Sequence, residues 1–130
     1  MHDDEPSEEM LTSREHGRLI SADKVEGTQV VDANGDKLGS IERVMIDKHS
    51  GKVAYAVMSF GGFLGIGDRH HALPWGALKY DIGLEGYVVN LDRQRLENAP
   101  TFARDDVIDL EDPALGQRLH DYYGVRPYWG

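Results

Sequence analysis

The sequence predicts a mainly β protein, a small barrel or sandwich carrying one C-terminal helix. Three observations support this. Short runs of β-branched and aromatic residues recur, with turn residues about every eight to twelve positions. One run, Lys52 to Phe60, is apolar on both parities, as a central strand covered on both faces must be. A single stretch near the C-terminus has helical apolar spacing, at Leu115, Leu119, Tyr122 and Tyr123.

The elements follow in chain order. Residues 1–17 are polar, acidic and aperiodic, which predicts a flexible tail. Ser21 can cap a helical turn over Ala22 to Val25 that stops at Gly27. Gln29 to Asp32 is a first strand, and Asn34-Gly35 a reverse turn. The next strand spans about Lys37 to Asp47. Ile41 and Met45 share one parity there, while Leu38, Val44 and Ile46 break it. A slip of that kind predicts a bulge or a corner. After a turn at His49-Ser50-Gly51 comes the central strand.

It runs into Gly61-Gly62-Phe63-Leu64-Gly65-Ile66-Gly67, four glycines in seven positions, hence a tight shaped loop. A strand from about Arg69 to Leu73 leaves the loop and meets a corner at Pro74-Trp75, with Trp75 expected to plug the core. Lys79 to Asp81 and Tyr87 to Leu91 form a hairpin around Gly83 to Gly86. Asp92 caps a short helix that ends before Pro100. Further on, Asp112 stands at an N-cap, Pro113 at the first helical position and Gly124 at the C-terminal cap. A helix over about 113–123 follows. So short an amphipathic helix must dock, on its own barrel or on a partner's, and caps at both ends favour its own.

The formal net charge of −9 disfavours nucleic acid, whose phosphates it would repel, and equally an anionic membrane surface. There is no cysteine, hence no disulfide frame or thiolate nucleophile. The acidic N-terminus does not look like a signal peptide, and no apolar run is long enough to insert in a membrane. A cytoplasmic location is expected.

Several segments together resemble the PRC-barrel family. They are Gly27-Thr28-Gln29-Val30-Val31, then Asn34 to Ile41, then Gly51 to Val57, then Gly61 to Trp75 with Leu78, and last Leu96 through Ala99-Pro100. The resemblance covers roughly residues 19 to 100. It implies a small, partly open antiparallel β-barrel over 18–100, followed by a C-terminal extension over 101–130. Related domains occur in the H subunit of photosynthetic reaction centres and in a ribosome-maturation factor that docks a ribosomal protein. Both are adaptors. Neither the membrane helix of the first nor the RNA-processing domain of the second is present in these residues, so neither specific role is expected to carry over.

Chemistry-bearing patterns are sparse. The glycine loop fits neither a dinucleotide fingerprint nor a P-loop, and Pro74 precludes a helix soon after. His70 and His71 are adjacent on a strand and point to opposite faces, so they are expected to be solvated rather than to share a metal ion. His120 fits a helix C-terminus. Asp23, Glu26, Asp32, Asp36, Glu42 and Asp47 are expected on solvated turns and strand surfaces. No Gly-x-Ser-x-Gly elbow occurs.

The expected function is therefore a non-enzymatic protein-interaction module with no cofactor, acting as a homodimer with a protein partner. The alternative is a small-ligand or metal-binding sensor using Gly61 to His71. Interface candidates are Phe63 and Leu64 at the loop tip, where contact with a partner and self-packing are equally open. Leu115, Leu119, Tyr122 and Tyr123 on the helix join them, as does Trp129 near the chain end.

Overall fold

A computed structural model of the chain describes residues 18–60, 69–103 and 110–129. Within them, strands β1 (Gln29–Val31), β2 (Lys37–Ile46), β3 (Val53–Phe60), β4 (Arg69–Pro74), β5 (Leu78–Asp81), β6 (Gly86–Val89) and β7 (Phe102–Ala103) form one sheet. The spatial order is β5-β6-β1-β2-β3-β4-β7. Helices α1 (Ala22–Val25), α2 (Arg93–Glu97) and α3 (Pro113–Tyr123) complete the set. The protein is a mainly β, partly open barrel with a C-terminal helix.

The curl begins in β2. Its pairing with β3 slips between Ile41 and Arg43 and again between Met45 and Ile46. These irregularities fall where the apolar parity of the sequence breaks. A bulge bends its strand and increases the local twist, so β2 can pair with β1 at one end and β3 along the rest. The β2–β3 turn is fastened by Asp47. Its carboxylate accepts from the Ser50 hydroxyl at 2.7 Å and from the His49 amide at 3.2 Å. These bonds, Ser50 first, hold its pKa below the ordinary value.

Strand β3 is the core's spine. Ala54, Ala56 and Met58 on one face, and Tyr55 and Val57 on the other, are all buried. Sheet wraps the first face. The second is covered from the C-terminal side, where the Tyr55 ring meets those of His120 and Tyr128.

One pairing departs from the antiparallel expectation: β6 runs parallel to β1, with Val30 beside Tyr87 and Val31 beside Val88. After β4 the chain turns at Pro74 and a 3-10 turn, Trp75–Ala77, and the β5–β6 hairpin is added beyond β1. A Cβ at Gly86 would lie 2.7 Å from Gln29 Cγ and 2.9 Å from the Gln29 carbonyl oxygen. Only glycine lets the two backbones approach so closely there. Gln29 then donates its side-chain amide to the Leu84 carbonyl at 2.9 Å.

Helix α3 starts where Asp112 accepts from the Ala114 amide at 3.0 Å and ends at Gly124, which is left-handed with φ 68°. It packs across β4. The short strand β7, which no sequence pattern marks, borders β4 on its far side.

Candidate functional site

Several buried polar side chains make structural contacts. His70 and His71 are 3% and 0% exposed, not solvated as the sequence suggests. The reason is that β4 is covered on both faces, by the core and by α3 and its surroundings. The two rings do diverge. His71 Nε2 lies 2.9 Å from the Leu96 carbonyl, which can only accept, so that nitrogen carries the proton and tethers α2. His70 Nε2 lies 3.1 Å from the Glu42 carboxylate, and its ring stacks on Phe102 of β7. Asp32 is buried too, because its Oδ1 accepts from the Asn34 and Asp36 amides and shapes the β1–β2 turn. Glu42 is partly buried against His70 rather than solvated. Among the described residues, no three His, Asp or Glu side chains converge as metal ligands do.

The C-terminal stripe is turned inward. Leu119 and Tyr123 are buried in the chain's own core, and Leu115 and Tyr122 pack at its margin. Tyr122 is clasped to α2: its hydroxyl donates to the Arg95 carbonyl at 2.5 Å, and the Arg95 guanidinium lies 4.6 Å from its ring centre. His120 donates from Nδ1 to the Gly116 carbonyl at 2.8 Å, and its ring meets Tyr55, Tyr128 and Trp129. Trp129 lies against Gly116 yet remains 51% exposed. Phe63 and Leu64 lie outside the described residues, as does most of the glycine loop.

Among the described residues, what stays uncovered is the opposite margin of the sheet. Strand β5 is its last member, and Lys79, Tyr80 and Asp81 are all exposed. At the hairpin tip Ile82 and Leu84 are exposed as well. Alongside runs a cleft of about 570 Å³, lined by Lys79, Tyr80 and Asp81 from β5, by Leu91, and by Tyr123 and Val125 at the end of α3. The Tyr80 ring stands edge-on to the buried Tyr87 ring, so it is held upright beside the cleft. An unpaired strand edge next to an apolar cleft suits an extended peptide. Its backbone can continue the ladder while side chains enter the cleft.

The tyrosines of this side are poor acids. Burial, then the neighbouring Tyr122, raises the pKa of Tyr123, and burial, then Tyr80, raises that of Tyr87. Both phenols stay protonated at neutral pH and offer contact area rather than a nucleophile. The interface candidates read from the sequence do not include Tyr80, Ile82 or Leu84. The available signal was three apolar residues interleaved with charges and glycines, and it became meaningful only once β5 was known to be an edge.

Comparison with known proteins agrees with the architecture. The family model for the PRC-barrel domain matches residues 18–96, more than half of the chain, and the chain belongs to that family. Among solved structures it is similar to a 16S ribosomal RNA processing protein, RimM, from Pseudomonas aeruginosa, at 24% identity and a TM-score of 0.39. That match covers 62% of this chain and 49% of the other, so this chain spans about half the length of that protein. Comparison with curated proteins gives no match. No helix among the described residues is long and apolar enough to cross a membrane.

Proposed function

We propose that this domain is a non-enzymatic protein-interaction module, cytoplasmic and homodimeric, that docks a protein partner along β5 and the cleft beside it. The observation that carries this reading is the apolar surface left on one margin. Tyr80, Ile82 and Leu84 stand exposed along a strand whose outer edge has no strand neighbour among the described residues, while the helix stripe is consumed internally. Clustered exposed apolar side chains beside a cleft mark contact surfaces. Use of the buried histidines and Asp32 in turn and tether bonds is in keeping with a structural rather than catalytic role. The exposed Trp129 is a further candidate contact residue, and Phe63 and Leu64 stay candidates on their sequence alone.

A photo-crosslinking residue placed at Ile82, at Leu84 or, as a control, at Ser50 tests this in the native cell. A discrete adduct with another protein is expected at the first two positions and not at Ser50. Calorimetry with the recovered protein should then show binding that Leu84→Asp weakens at least tenfold. Adducts no different from the Ser50 control would overturn the reading.

A further inference from the structure

Strand β5 reads Leu78, Lys79, Tyr80, Asp81, with Ile82 next. Its inner side pairs with β6 through all four residues, from Leu78 opposite Val89 to Asp81 opposite Gly86. Its outer side has no strand neighbour among the described residues. We infer that the outer side pairs antiparallel with β5 of a second copy, about a twofold axis at Tyr80, so that one sheet runs through two barrels. This rests on the reading of the β5 margin as a docking surface and names a second copy as the occupant of the strand edge, leaving the hairpin tip and the cleft to the protein partner.

The register of the strand favours this pairing. When a strand pairs antiparallel with its own copy, residues equally spaced on either side of the centre lie opposite each other. Centred on Tyr80, Lys79 of each copy faces the other's Asp81, Tyr80 faces Tyr80, and Leu78 faces Ile82. Each cross-strand pair is then matched in charge or apolarity.

The neighbouring registers are not. Opposed residues must share a face of the pleat, so only registers centred on a residue are available. Centring on Lys79 sets lysine against lysine, and centring on Asp81 sets aspartate against aspartate. Like charges directly opposite are destabilising. Charges on an edge strand commonly keep other strands away. Here the two signs straddle Tyr80 symmetrically, so the edge repels itself in the flanking registers and accepts itself in the central one.

The rest of the margin fits the same arrangement. One oxygen of Asp81 accepts from the Leu84 amide at 3.0 Å, which leaves the second for the other copy's Lys79. Past the strand the chain turns at Ile82 to Glu85, so Ile82 of each copy ends the ladder opposite Leu78 of the other, and the exposed Leu84 lies outside it. An interface of this kind is isologous and closes at two subunits. A ladder of four residues falls short of the roughly 1,200–2,000 Å² of a standard stable interface, so the dimer is weak and reversible.

The chain has no cysteine, which makes the test clean. Tyr80→Cys sets two thiols opposite each other, and facing Cβ atoms about 4.5–5.5 Å apart come close to disulfide geometry. Under mild oxidation at high protein concentration, Tyr80→Cys should form a covalent dimer at least tenfold faster than Ser50→Cys, whose position lies on the distant β2–β3 turn. Sedimentation should show Lys79→Asp shifting the wild-type equilibrium toward monomer, and Lys79→Asp with Asp81→Lys restoring it. Circular dichroism and a thermal melt confirm that each variant is folded, since Asp81 also fastens the hairpin turn. Equal cross-linking rates for the two cysteine variants, or an unchanged equilibrium in folded Lys79→Asp, overturns self-pairing. The module reading is decided separately, by the adducts with other proteins at Ile82 and Leu84.

Discussion

At the β4 margin of the sheet, His70, His71, Ala72 and Leu73 are all buried, whereas at the β5 margin Lys79, Tyr80 and Asp81 are all exposed. Both strands contain aromatic or imidazole rings. The difference lies in what the rest of the chain brings to each. Strand β4 receives β7 along one side and α3 across its face. Among the described residues, strand β5 receives β6 alone. Among the described residues, the amphipathic helix that closes one margin is not matched by any element along the other. The apolar residues remaining there, Tyr80, Ile82 and Leu84, are then the ones to examine for function rather than the helix stripe.

The closed margin yields the largest expected effect. Leu119 is 2% exposed beneath α3, so Leu119→Ala should lower unfolding free energy by about 2–5 kcal/mol in urea titration. A change below about 0.5 kcal/mol would mean that the helix does not seal this margin, and the contrast would collapse. The next effect sharpens the picture of how the chain end is held. A Cβ on Gly116 would sit 3.0 Å from Trp129 Cη2 and 3.3 Å from the Tyr55 hydroxyl. Gly116→Leu should therefore displace Trp129 and destabilise by about 1–3 kcal/mol, with tryptophan emission shifted to the red. Unchanged emission would show that Trp129 is not seated there.

A smaller effect concerns alkaline pH. Burial, then Tyr128, pushes the pKa of Tyr55 up to about 12, above the value of about 10 for an exposed phenol. The stability tied to keeping Tyr55 neutral is thus fully present below pH 10. It falls as pH rises from about 10 to about 12, because the unfolded chain loses its proton first. Absorbance titration of the native protein should show a late phase that Tyr55→Phe removes. Among the described residues the Tyr55 hydroxyl is buried without a hydrogen-bond partner, so Tyr55→Phe should leave neutral-pH stability within about 0.5 kcal/mol of the parent or raise it slightly. A loss of about 2 kcal/mol would instead reveal a partner for that oxygen.

Much of the fold was legible because local chemistry dictates it. The broken parity of Lys37 to Ile46 encodes the corner in β2, and the double-faced apolarity of Val53 to Phe60 encodes a central strand. Asp112, Pro113 and Gly124 encode the limits of α3. What was not legible depends on which strands become neighbours. The parallel β1–β6 pairing and the two-residue β7 are tertiary choices, and the sequence carries only traces of them, such as a glycine at position 86 where two backbones meet. The same limit governs the site. Burial of His70 and His71 follows from what covers β4, and exposure of Tyr80 follows from what does not cover β5. Alternation along a strand says which residues share a face, and it is silent on whether that face meets solvent.

Amide hydrogen exchange of β5 against β4, followed across a dilution series, tests the contrast most directly. Alternate amides of an edge strand point away from its only neighbour, and their protection reports whatever covers that edge. The account predicts that β4 amides around Ala72 stay protected at every concentration. The outward amides of Leu78 to Asp81 should exchange freely in dilute solution and gain protection as the protein is concentrated. Protection of β5 equal to that of β4 at the lowest concentration would contradict it, because the edge would then be covered by the chain itself.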